Sequence, residues 1–414
     1  MTSNWATIRL DECASFQEGY VNPTQKKEHY FDGPVKWLRA VDLNNGSIRD
    51  TSRTLSEEGF KSAGKSALLF EPGTLAISKS GTIGRIGILE DYMCGNRAVI
   101  NIKVNQDVCD NLYIFYVLLT SRKVIETLAV GSVQKNLYTS ALGSLELKLP
   151  PLPIQQAIAI QLSTLDKKID LNAQTNQTLE EMAQAIFKSW FVDFDPVKAK
   201  MNGELPEGMD AATASLFPEK LVESELGLIP DGWEVKPFSE WVKITKGKNI
   251  TKKTIVDGDV PVVAGGLKPA YFHNAHNVDG PAITISASGA NAGYVNLYFE
   301  NIWASDCSYI SQSATPLFFL QYVALRYNQK KIFDMQTGAA QPHIYPRDFE
   351  RLMIVVPNEE LCRKLEEVFA SFFRTVANNK QQNIDLAALR DTLLPKLLSG
   401  EIELGTSEEL VEAI

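Results

Sequence analysis

The sequence lacks the segments that would mark a membrane protein or a nucleotide-binding enzyme. Nowhere does it contain the run of about 20 apolar residues that a membrane helix requires. It has no Asn/Asp-Pro-Pro-Tyr/Phe motif, no glycine-rich cofactor loop after a strand and no Gly-x-x-x-x-Gly-Lys-Ser/Thr phosphate loop. The nearest candidate, Ser62-Ala-Gly64-Lys-Ser66, lacks the first glycine. We therefore expect no catalytic residues and no membrane segment.

Cysteine is scarce, and its spacing argues against the common cysteine-based sites. Five cysteines are dispersed along 414 residues with no Cys-x-x-Cys pair, which is typical of reduced thiols in the cytoplasm. The N-terminus has neither the basic nor the apolar segment of a signal peptide, so we expect a cytoplasmic protein. His273, His276 and Asp279 form only a weak metal pattern without a cysteine partner, and no metal site is predicted.

The net charge of −9 at pH 7 is unfavourable for binding nucleic acid, but it is unevenly distributed. Residues 1–150 hold 17 lysines and arginines against 16 acidic residues, and residues 230–357 hold 12 against 11. Residues 151–229 hold 6 against 12, and residues 358–414 hold 6 against 11. Two near-neutral segments thus alternate with two acidic ones, and the total charge neither supports nor excludes DNA binding.

An internal repeat organises the chain. Gly131 matches Gly338 and Pro150 matches Pro357, which is an offset of 207 residues in both cases. The glycine-rich loop at 81–84 corresponds to the loop at 289–293, where the offset drifts by about one residue. A repeat of this kind indicates a duplicated structural unit.

The best-matched part of each copy carries a heptad seam. Its alternating spacing of four and three residues predicts one long helix per copy, and about 38 residues would make a rod of roughly 55 Å. Both seams run from apolar residues to two asparagines and back, with Arg390 as the one clear departure. Asparagine in a seam fixes register and partner choice at a cost in stability. The residues predicted to pack the two helices on each other are Leu162, Leu165, Ile169, Asn172 and Asn176 in the first copy, and Phe369, Phe372, Val376, Asn379 and Asn383 in the second.

Proline, asparagine and glycine mark the predicted ends of these helices. Pro153 fits a first helical turn, and Pro196 is expected to stop the first helix. Asn358 can cap the second helix, which Pro395 and Gly400 are expected to close.

The repeat predicts six segments in chain order. They are a first mixed α/β domain (residues 1–150), a first helix (151–196), a linker (197–230), a second mixed domain (231–357), a second helix (358–400) and an acidic tail (401–414). The clearest β-type runs in the two domains are Thr74–Ser78, Ile86–Leu89, Arg97–Val104, Pro281–Ile285, Tyr294–Tyr298 and Leu352–Val356. The predicted fold class is α+β, with two mixed domains separated by two long helices.

Four motifs resemble those of the DNA specificity subunit of type I restriction–modification systems. In chain order they are Leu149-Pro-Pro-Leu-Pro-Ile-Gln-Gln, Phe187-Lys-Ser-Trp-Phe-Val-Asp-Phe-Asp-Pro, Glu225-Leu-Gly-Leu-Ile-Pro-Asp-Gly-Trp-Glu-Val and Leu393-Leu-Pro-Lys-Leu-Leu-Ser-Gly-Glu-Ile. Together they extend the resemblance over nearly the whole chain. Asp193 and Asp195 belong to the second motif, where we interpret them as capping or partner-docking residues rather than as a catalytic pair.

The resemblance implies a non-catalytic protein that directs other subunits. Each mixed domain would be a target recognition domain that reads one half of a split double-stranded DNA target through the major groove. The two helices would form an antiparallel coiled coil whose length sets the gap between the halves. Two methyltransferase (modification) subunits would dock on the helices and methylate adenine N6, and restriction (helicase–nuclease) subunits would then join. AdoMet, ATP and Mg²⁺ would bind in those partners, and this chain would hold no cofactor.

Candidate DNA contacts follow from the need for Lys or Arg at phosphates and for Arg, Lys, Asn or Gln at base edges. In the first domain, basic and polar clusters predict contacts by Lys26, Lys27, Arg39, Lys79, Arg85, Gln134, Lys135 and Asn136. In the second domain, the densest basic stretch and three polar residues predict contacts by Lys246, Lys248, Lys252, Lys253, Asn291, Gln341 and His343. The recurrence of Gln134 at Gln341 fits a structural hydrogen bond equally well. In the second domain Gly289-Ala-Asn-Ala-Gly293 replaces the basic loop Gly81-Thr-Ile-Gly-Arg85, so the correspondence of residues is weaker there.

Two alternatives stay open from the sequence. The paired helices and globular domains could belong to an assembly adaptor that binds only proteins. The chain could also be the specificity chain of a related restriction–modification system that cuts DNA without an ATP-driven motor. Binding of a split DNA motif would separate the first alternative from the DNA-reading interpretation, and the neighbouring genes would separate the second.

Overall fold

The computed structural model describes residues 5–131, 135–338 and 341–404. The chain divides into two compact units. Unit 1 consists of the described residues of Met1–Asp170 and Asn383–Ile414, and unit 2 is Leu171–Gln382. The first long helix, Leu152–Phe191, and the second long helix, Glu359–Ser399, each contribute one end to each unit. Within the described ranges, no helix combines the length and the apolar character needed to cross a membrane.

Unit 1 contains a mixed domain built around a five-stranded sheet. The strands of this sheet, in spatial order, are Ala14–Glu18, Val99–Val104, Leu75–Ser78, Ile86–Leu89 and Gly46–Ile48. A three-stranded sheet (Thr54–Leu55, Phe31–Leu38, Met93–Gly95) and a strand pair (Ala6–Arg9, Glu146–Leu149) complete its β-structure. Its short helices are Glu57–Lys61, Asn111–Thr120, Arg122–Leu128 and Thr139–Gly143.

Strand alternation places the core of unit 1 between the sheet and a short helix. Ile100 and Ile102 lie two residues apart, so their side chains leave the same face of the sheet and pack in one core with the helix Asn111–Thr120. Asp110 caps this helix by accepting the backbone N–H of Tyr113 over 2.9 Å. The sheet and the helix thereby fix the loops that follow the strands.

Unit 2 repeats this architecture and adds a hairpin. Its four-stranded sheet is ordered Thr245–Lys246, Cys307–Ser311, Ala282–Ser286 and Val295–Tyr298. A three-stranded sheet (Tyr271–His273, Val260–Val263, Trp303–Ala304), a strand pair (Glu234–Pro237, Met353–Val356) and the hairpin (Leu221–Ser224, Gly227–Pro230) accompany it. Its short helices are Asp195–Met201, Ala211–Ser215, Phe238–Trp241, Phe318–Tyr327 and Gln329–Asp334. The predicted α+β class, with two mixed domains and two long helices, is confirmed.

The two long helices run antiparallel within each unit. In unit 1, Asn383 Nδ2 donates to the backbone carbonyl of Ile169 over 3.1 Å. In unit 2, Asn379 Nδ2 donates to Asn176 Oδ1 over 2.9 Å, and Asn172 Nδ2 donates to Gln382 Oε1 over 2.7 Å. The asparagines of the two seams therefore lie at the helix–helix contact.

The remaining seam residues differ in their degree of burial. Leu162, Leu165, Phe369 and Val376 are buried, whereas Ile169 and Phe372 are partly buried. Phe373 is more deeply buried than its neighbour Phe372. A straight helix drifts from a strict seven-residue repeat, which is a physical reason why the seam shifts by one residue at this end.

Neither proline ends its helix as predicted, although the second long helix does end before Gly400. The first long helix ends at Phe191, and Pro196 lies in the first turn of the next helix instead of acting as the stop. Pro395 lies inside the second long helix, which continues to Ser399 before Gly400 adopts a φ of +72°. The last turn is retained because Leu394 and Leu397 are buried in the core of unit 1. Asn358 accepts the backbone N–H of Leu361 over 2.9 Å, as predicted for a cap.

The segment predicted as a linker is folded. Residues 197–230 contain most of the helix Asp195–Met201, the helix Ala211–Ser215 and the hairpin. Val197, Phe217 and Ile229 are buried in the core of unit 2 together with Trp233. The glycines and prolines of this segment indicated turns correctly, but the scattered apolar residues between them are enough to bury it against the domain.

Candidate nucleic-acid interface

In unit 1, two loops are joined by backbone hydrogen bonds. Asn136 pairs with Val130 through two bonds of 2.9 and 3.0 Å and also forms a bridge with Ser80. The backbone amide of Leu137 donates to the carbonyl of Lys79 over 2.8 Å. We call the described residues of 78–85 and 130–138, together with Glu18 beside Lys79, the first junction.

Unit 2 repeats this arrangement with different side chains. His343 pairs with Thr337 through two backbone bonds of 2.8 and 2.9 Å and forms a bridge with Ser288. The amide of Ile344 donates to the carbonyl of Ala287 over 3.0 Å. We call the described residues of 286–294 and 337–345, together with Lys246 and Arg347 beside Tyr345 and Asp306 beside Ser288, the second junction. Because equivalent backbone atoms bond, His343 occupies the position of Asn136, and Ala287 occupies that of Lys79.

Left-handed glycines turn the loops of both junctions, although the second loop is one residue longer. Gly81 and Gly84 have φ values of +72° and +80°, and Gly289 and Gly293 have φ values of +81° and +83°. These angles lie in the left-handed region, which glycine adopts at little cost. A Cβ on Gly84 would also lie only 3.0 Å from the side chain of Arg122. The shape of each loop therefore depends on its glycines, whereas the residues between them can vary.

The first junction contains an ion pair that sequence reasoning missed. Lys79 Nζ lies 2.7 Å from Glu18, and the two side chains are 14% and 19% exposed. Glu18 largely neutralises Lys79, which makes this lysine a weak phosphate contact. Each group can still meet a base edge, since lysine donates to guanine O6 and N7 and glutamate accepts from cytosine N4. The partners are 61 positions apart in sequence, so no local pattern could have joined them.

The other candidates of the first junction are placed as follows. Lys135 is exposed, and Arg85 is partly buried with no ion pair among the described residues. Asn136 is partly buried and held by its backbone bonds. Gln134 lies outside the described residues, so its contact stays a prediction.

The second junction combines basic and aromatic side chains. The rings of His343 and Tyr345 are stacked at 5.9 Å with an angle of 10° between their planes. Lys246 Nζ and the guanidinium of Arg347 each lie 5.8 Å from the centre of the Tyr345 ring. Cations over an aromatic face are attracted by its quadrupole, which gathers positive charge at this surface. Tyr345 and Arg347 were not among the predicted contacts. A signal for Tyr345 was available, because another tyrosine, Tyr138, precedes it by the repeat offset of 207 residues.

The two junctions differ in charge at equivalent positions. The amide of Gly19 donates to Val99 over 3.0 Å, and the amide of Gly247 donates to Cys307 over 2.8 Å. This equivalence places Lys246 where the first domain has Glu18. The carboxylate at the second junction is Asp306, which accepts a hydrogen bond from the hydroxyl of Ser288.

The basic stretch at 246–253 leads away from the second junction along an exposed segment. Lys246, Lys248, Lys252 and Lys253 are all exposed, and in the described part of the chain none of them pairs with a carboxylate. The backbone of Lys248 is fixed, because its amide donates to Ala304 over 2.9 Å and its carbonyl accepts Trp303 Nε1 over 2.8 Å. Such lysines are available to neutralise phosphates.

Two further candidates of the second domain lie at the same junction. Asn291 is partly buried between Gly289 and Gly293, and its carbonyl accepts the amide of Tyr294 over 2.9 Å. Gln341 is exposed. Both side chains belong to segments in which the two copies share the glycines, two serines, the glutamine and the tyrosine, whereas the other residues differ.

The candidates at 26–39 form a separate group. Lys26 and Lys27 are exposed, and Lys27 Nζ donates to the hydroxyl of Tyr30 over 2.7 Å, which raises the pKa of Lys27. The amide of Arg39 donates to Asp42, and its guanidinium lies 5.3 Å from the Trp37 ring. Arg39 is therefore engaged in holding its own loop, whereas Lys26 and Lys27 are exposed and the Lys27 side chain is bonded only to the neighbouring Tyr30 among the described residues.

The histidines and cysteines are bound to neighbouring protein groups. His273 is buried with Nδ1 hydrogen-bonded to the backbone of Val256, and His276 lies 3.0 Å from Asp279. Burial raises the pKa of the Cys94 and Cys307 thiols to about 12, so both are protonated at neutral pH. Across the described ranges, no three His, Cys, Asp or Glu side chains are grouped so that they could hold a metal ion.

A family model described as the type I restriction modification DNA specificity domain matches residues 2–181 and 230–388. The chain is similar to the specificity subunit of the type I restriction enzyme MjaIX from Methanocaldococcus jannaschii. The two sequences are 26% identical, and the match covers 96% of this chain and 94% of the relative. It is also similar to the HindI specificity subunit of Haemophilus influenzae, with 28% identity covering 76% of this chain and 82% of the relative.

A solved structure shows the same fold. It is the S subunit of a type I restriction–modification system from M. genitalium, and it is 18% identical to this chain with a TM-score of 0.60. The match covers 95% of this chain and 96% of that structure. Both copies of the repeat therefore correspond to the architecture of a known specificity subunit.

Proposed function

The chain belongs to the type I restriction–modification DNA specificity family, and from that premise we propose that it reads a bipartite, asymmetric DNA target for catalytic partner subunits. As in the rest of this family, the chain is the non-catalytic DNA-recognition subunit. The partners would methylate adenine in the target and cut unmethylated DNA. We place this activity in the cytoplasm, in keeping with five unpaired cysteines.

One observation carries the proposal: the two junctions have equivalent backbone hydrogen bonds but different side chains at equivalent positions. Equivalent hydrogen bonds hold Asn136 and His343, and equivalent glycines turn both loops. Yet Lys79 and Glu18 of the first junction are replaced by Ala287 and Lys246 in the second. A common scaffold with unlike hydrogen-bonding groups suits the reading of two unlike half-sites.

We assign the chemistry to the partners. Two modification subunits would bind along the acidic helices, and restriction subunits would join them. AdoMet, ATP and Mg²⁺ would be bound by those subunits, and this chain would supply sequence recognition and the spacing of the half-sites. Part of the phosphate binding would also come from the partners, since the described residues of the junctions hold few unpaired cations besides the stretch at 246–253.

Sequencing of methylated adenines tests the proposal directly. The chain and its cognate modification subunit are expressed in a host without its own adenine methylation, and the methylated sites are aligned. The expected result is a single motif of two unlike halves separated by a fixed gap. Methylation without sequence preference, or at one continuous motif, would contradict the proposal.

A variant of the second junction sharpens this test. His343→Ala should relax the preference at one half of the motif and leave the other half unchanged, because the first junction is intact. Lys61→Gln, at an exposed pair with Glu57, is the control and should leave both halves unchanged. Equal relaxation of both halves by His343→Ala would argue against two independent readers.

A further inference from the structure

The seam of the two long helices has one layer that is polar in unit 1 and apolar in unit 2. Asp166 and Arg390 lie in this layer in unit 1. The repeat offset of 207 residues places Phe373 at the position of Asp166 and Ala183 at the position of Arg390. Arg390 is the one clear departure from the otherwise similar seams, and its contacts explain why it is tolerated.

In unit 1 the layer is a connected polar group. Arg390 Nη1 lies 2.7 Å from Asp166 Oδ1, and the hydroxyl of Tyr116 donates to Asp166 Oδ2 over 2.6 Å. The side chains of Arg390 and Asp166 are 26% and 31% exposed, so water screens this pair only in part. Burial lowers the pKa of Arg390, but the hydrogen bonds to Asp166 and Asp391 outweigh that effect and raise it. Arg390 therefore remains charged within the seam.

In unit 2 the three equivalent positions hold apolar side chains. Ala183, Phe373 and Val323 are completely or almost completely buried in one core. Phe373 stacks on Phe319 at 5.4 Å and meets the edge of Tyr322 at 5.1 Å. Val323 occupies the position of Tyr116 in the repeat. All three members of the polar group are thus replaced together.

The duplication creates an alternative helix pairing. Since the two long helices carry matching seams, the first long helix of a second copy could replace the second long helix. In an antiparallel pair of two first helices, Asp166 of one copy would face Ala183 of the other. In a pair of two second helices, Arg390 would face Phe373. Either pairing leaves a charge in the seam without its partner from the facing helix, which is unfavourable.

We propose that Asp166 and Arg390 direct the first long helix to pair with the second long helix of the same chain and disfavour its pairing with a second copy. Tyr116 positions Asp166 for this contact. The inference rests on the repeat and on the helix contacts within each unit, and it does not depend on the proposed reading of DNA.

The test replaces the polar layer of unit 1, in the full chain, by the apolar residues found at the equivalent positions of unit 2. A triple variant, Asp166→Phe, Arg390→Ala and Tyr116→Val, is compared with the wild-type chain. Thr175→Cys is added to both chains as a reporter, because this position would lie near its own copy at the centre of a pair of first helices. Two differently tagged copies are coexpressed, oxidised and assayed for a disulfide that joins the two tags.

We expect the triple variant to give about tenfold more cross-linked mixed pairs, an effect between those of exposed and buried ion pairs. No increase over the wild-type chain would overturn the proposal. A charge-exchanged chain, Asp166→Arg with Arg390→Asp in a Tyr116→Phe background, guards against simple misfolding. It should cross-link as little as the Tyr116→Phe chain, whereas Arg390→Asp alone in that background should cross-link more. Equal cross-linking by the exchanged and the single variants would also overturn the proposal.

Discussion

Removing four lysines of the second domain should weaken DNA binding and flatten its dependence on salt. The variant replaces Lys246, Lys248, Lys252 and Lys253 by glutamine. All four are exposed, and Lys246 lies 5.8 Å from the Tyr345 ring at the second junction. Among the described residues, no carboxylate neutralises any of them, so each is able to displace a counterion from a phosphate.

The magnitude follows from the number of phosphates neutralised. Each lysine that contacts a phosphate adds about 0.9 to the slope of log affinity against log salt, so four contribute at most about 3.6. Between 50 and 200 mM salt that difference corresponds to roughly a hundredfold in affinity. The variant should therefore bind more weakly at low salt and lose much less of its affinity as salt is raised.

The assay is a salt titration of target-DNA binding by the complex of this chain with its modification subunit. Lys61→Gln with Lys220→Gln is the matched control, since these exposed lysines pair with Glu57 and Asp231 at 2.9 and 3.1 Å. The control should keep the wild-type slope. If the quadruple variant also kept it, the stretch at 246–253 would not contact phosphates, and the placement of the interface would be wrong.

Three further predictions concern single contacts. Lys79→Ala should alter the preference at one half of the methylated motif, read by sequencing of methylated adenines, and an unchanged motif would make the Lys79–Glu18 pair structural only. Glu366 accepts the amides of Phe319 and Leu320 at 3.2 and 2.8 Å, so Glu366→Ala should cost about 1–3 kcal/mol in urea unfolding, whereas the exposed Glu367→Ala should cost little. Replacing Asn176 and Asn379 together by leucine should raise the urea midpoint, because their polar contact fixes register at a cost in stability.

Much of the fold could be predicted because it depends on local periodicity. The strand Ile86–Leu89 and the starts of both long helices follow from short apolar runs and from capping residues. Pro395 was misread because a proline ends an isolated helix, whereas buried neighbours keep this one continuous. The linker was misread for a related reason, since its few apolar residues gain their stability from the core of unit 2.

The candidate site was harder to predict than the fold because its key contacts join distant residues. Lys79 was identified as a basic residue in a glycine loop, but its neutralisation by Glu18 depends on the pairing of strands. In the same way, Arg390 is a lone departure in the seam pattern, and only the fold places Asp166 beside it. A sequence pattern reports the side chains available, and only the fold decides which of their charges remain unpaired.

The repeat separates the groups that hold a junction from the groups that would read DNA. Backbone hydrogen bonds and left-handed glycines hold both junctions, and neither depends on the side chains between the glycines. The pair Lys79 and Glu18 lies outside these glycines, and its replacement by Ala287 and Lys246 keeps the backbone bonds of the junction. We expect that the DNA preference of such a junction could be changed by substituting only the side chains that differ between the two copies. Substitution of a left-handed glycine would instead disturb the loop itself. The helix seam follows the opposite rule, because Asp166, Arg390 and Tyr116 contact one another and could be exchanged only together.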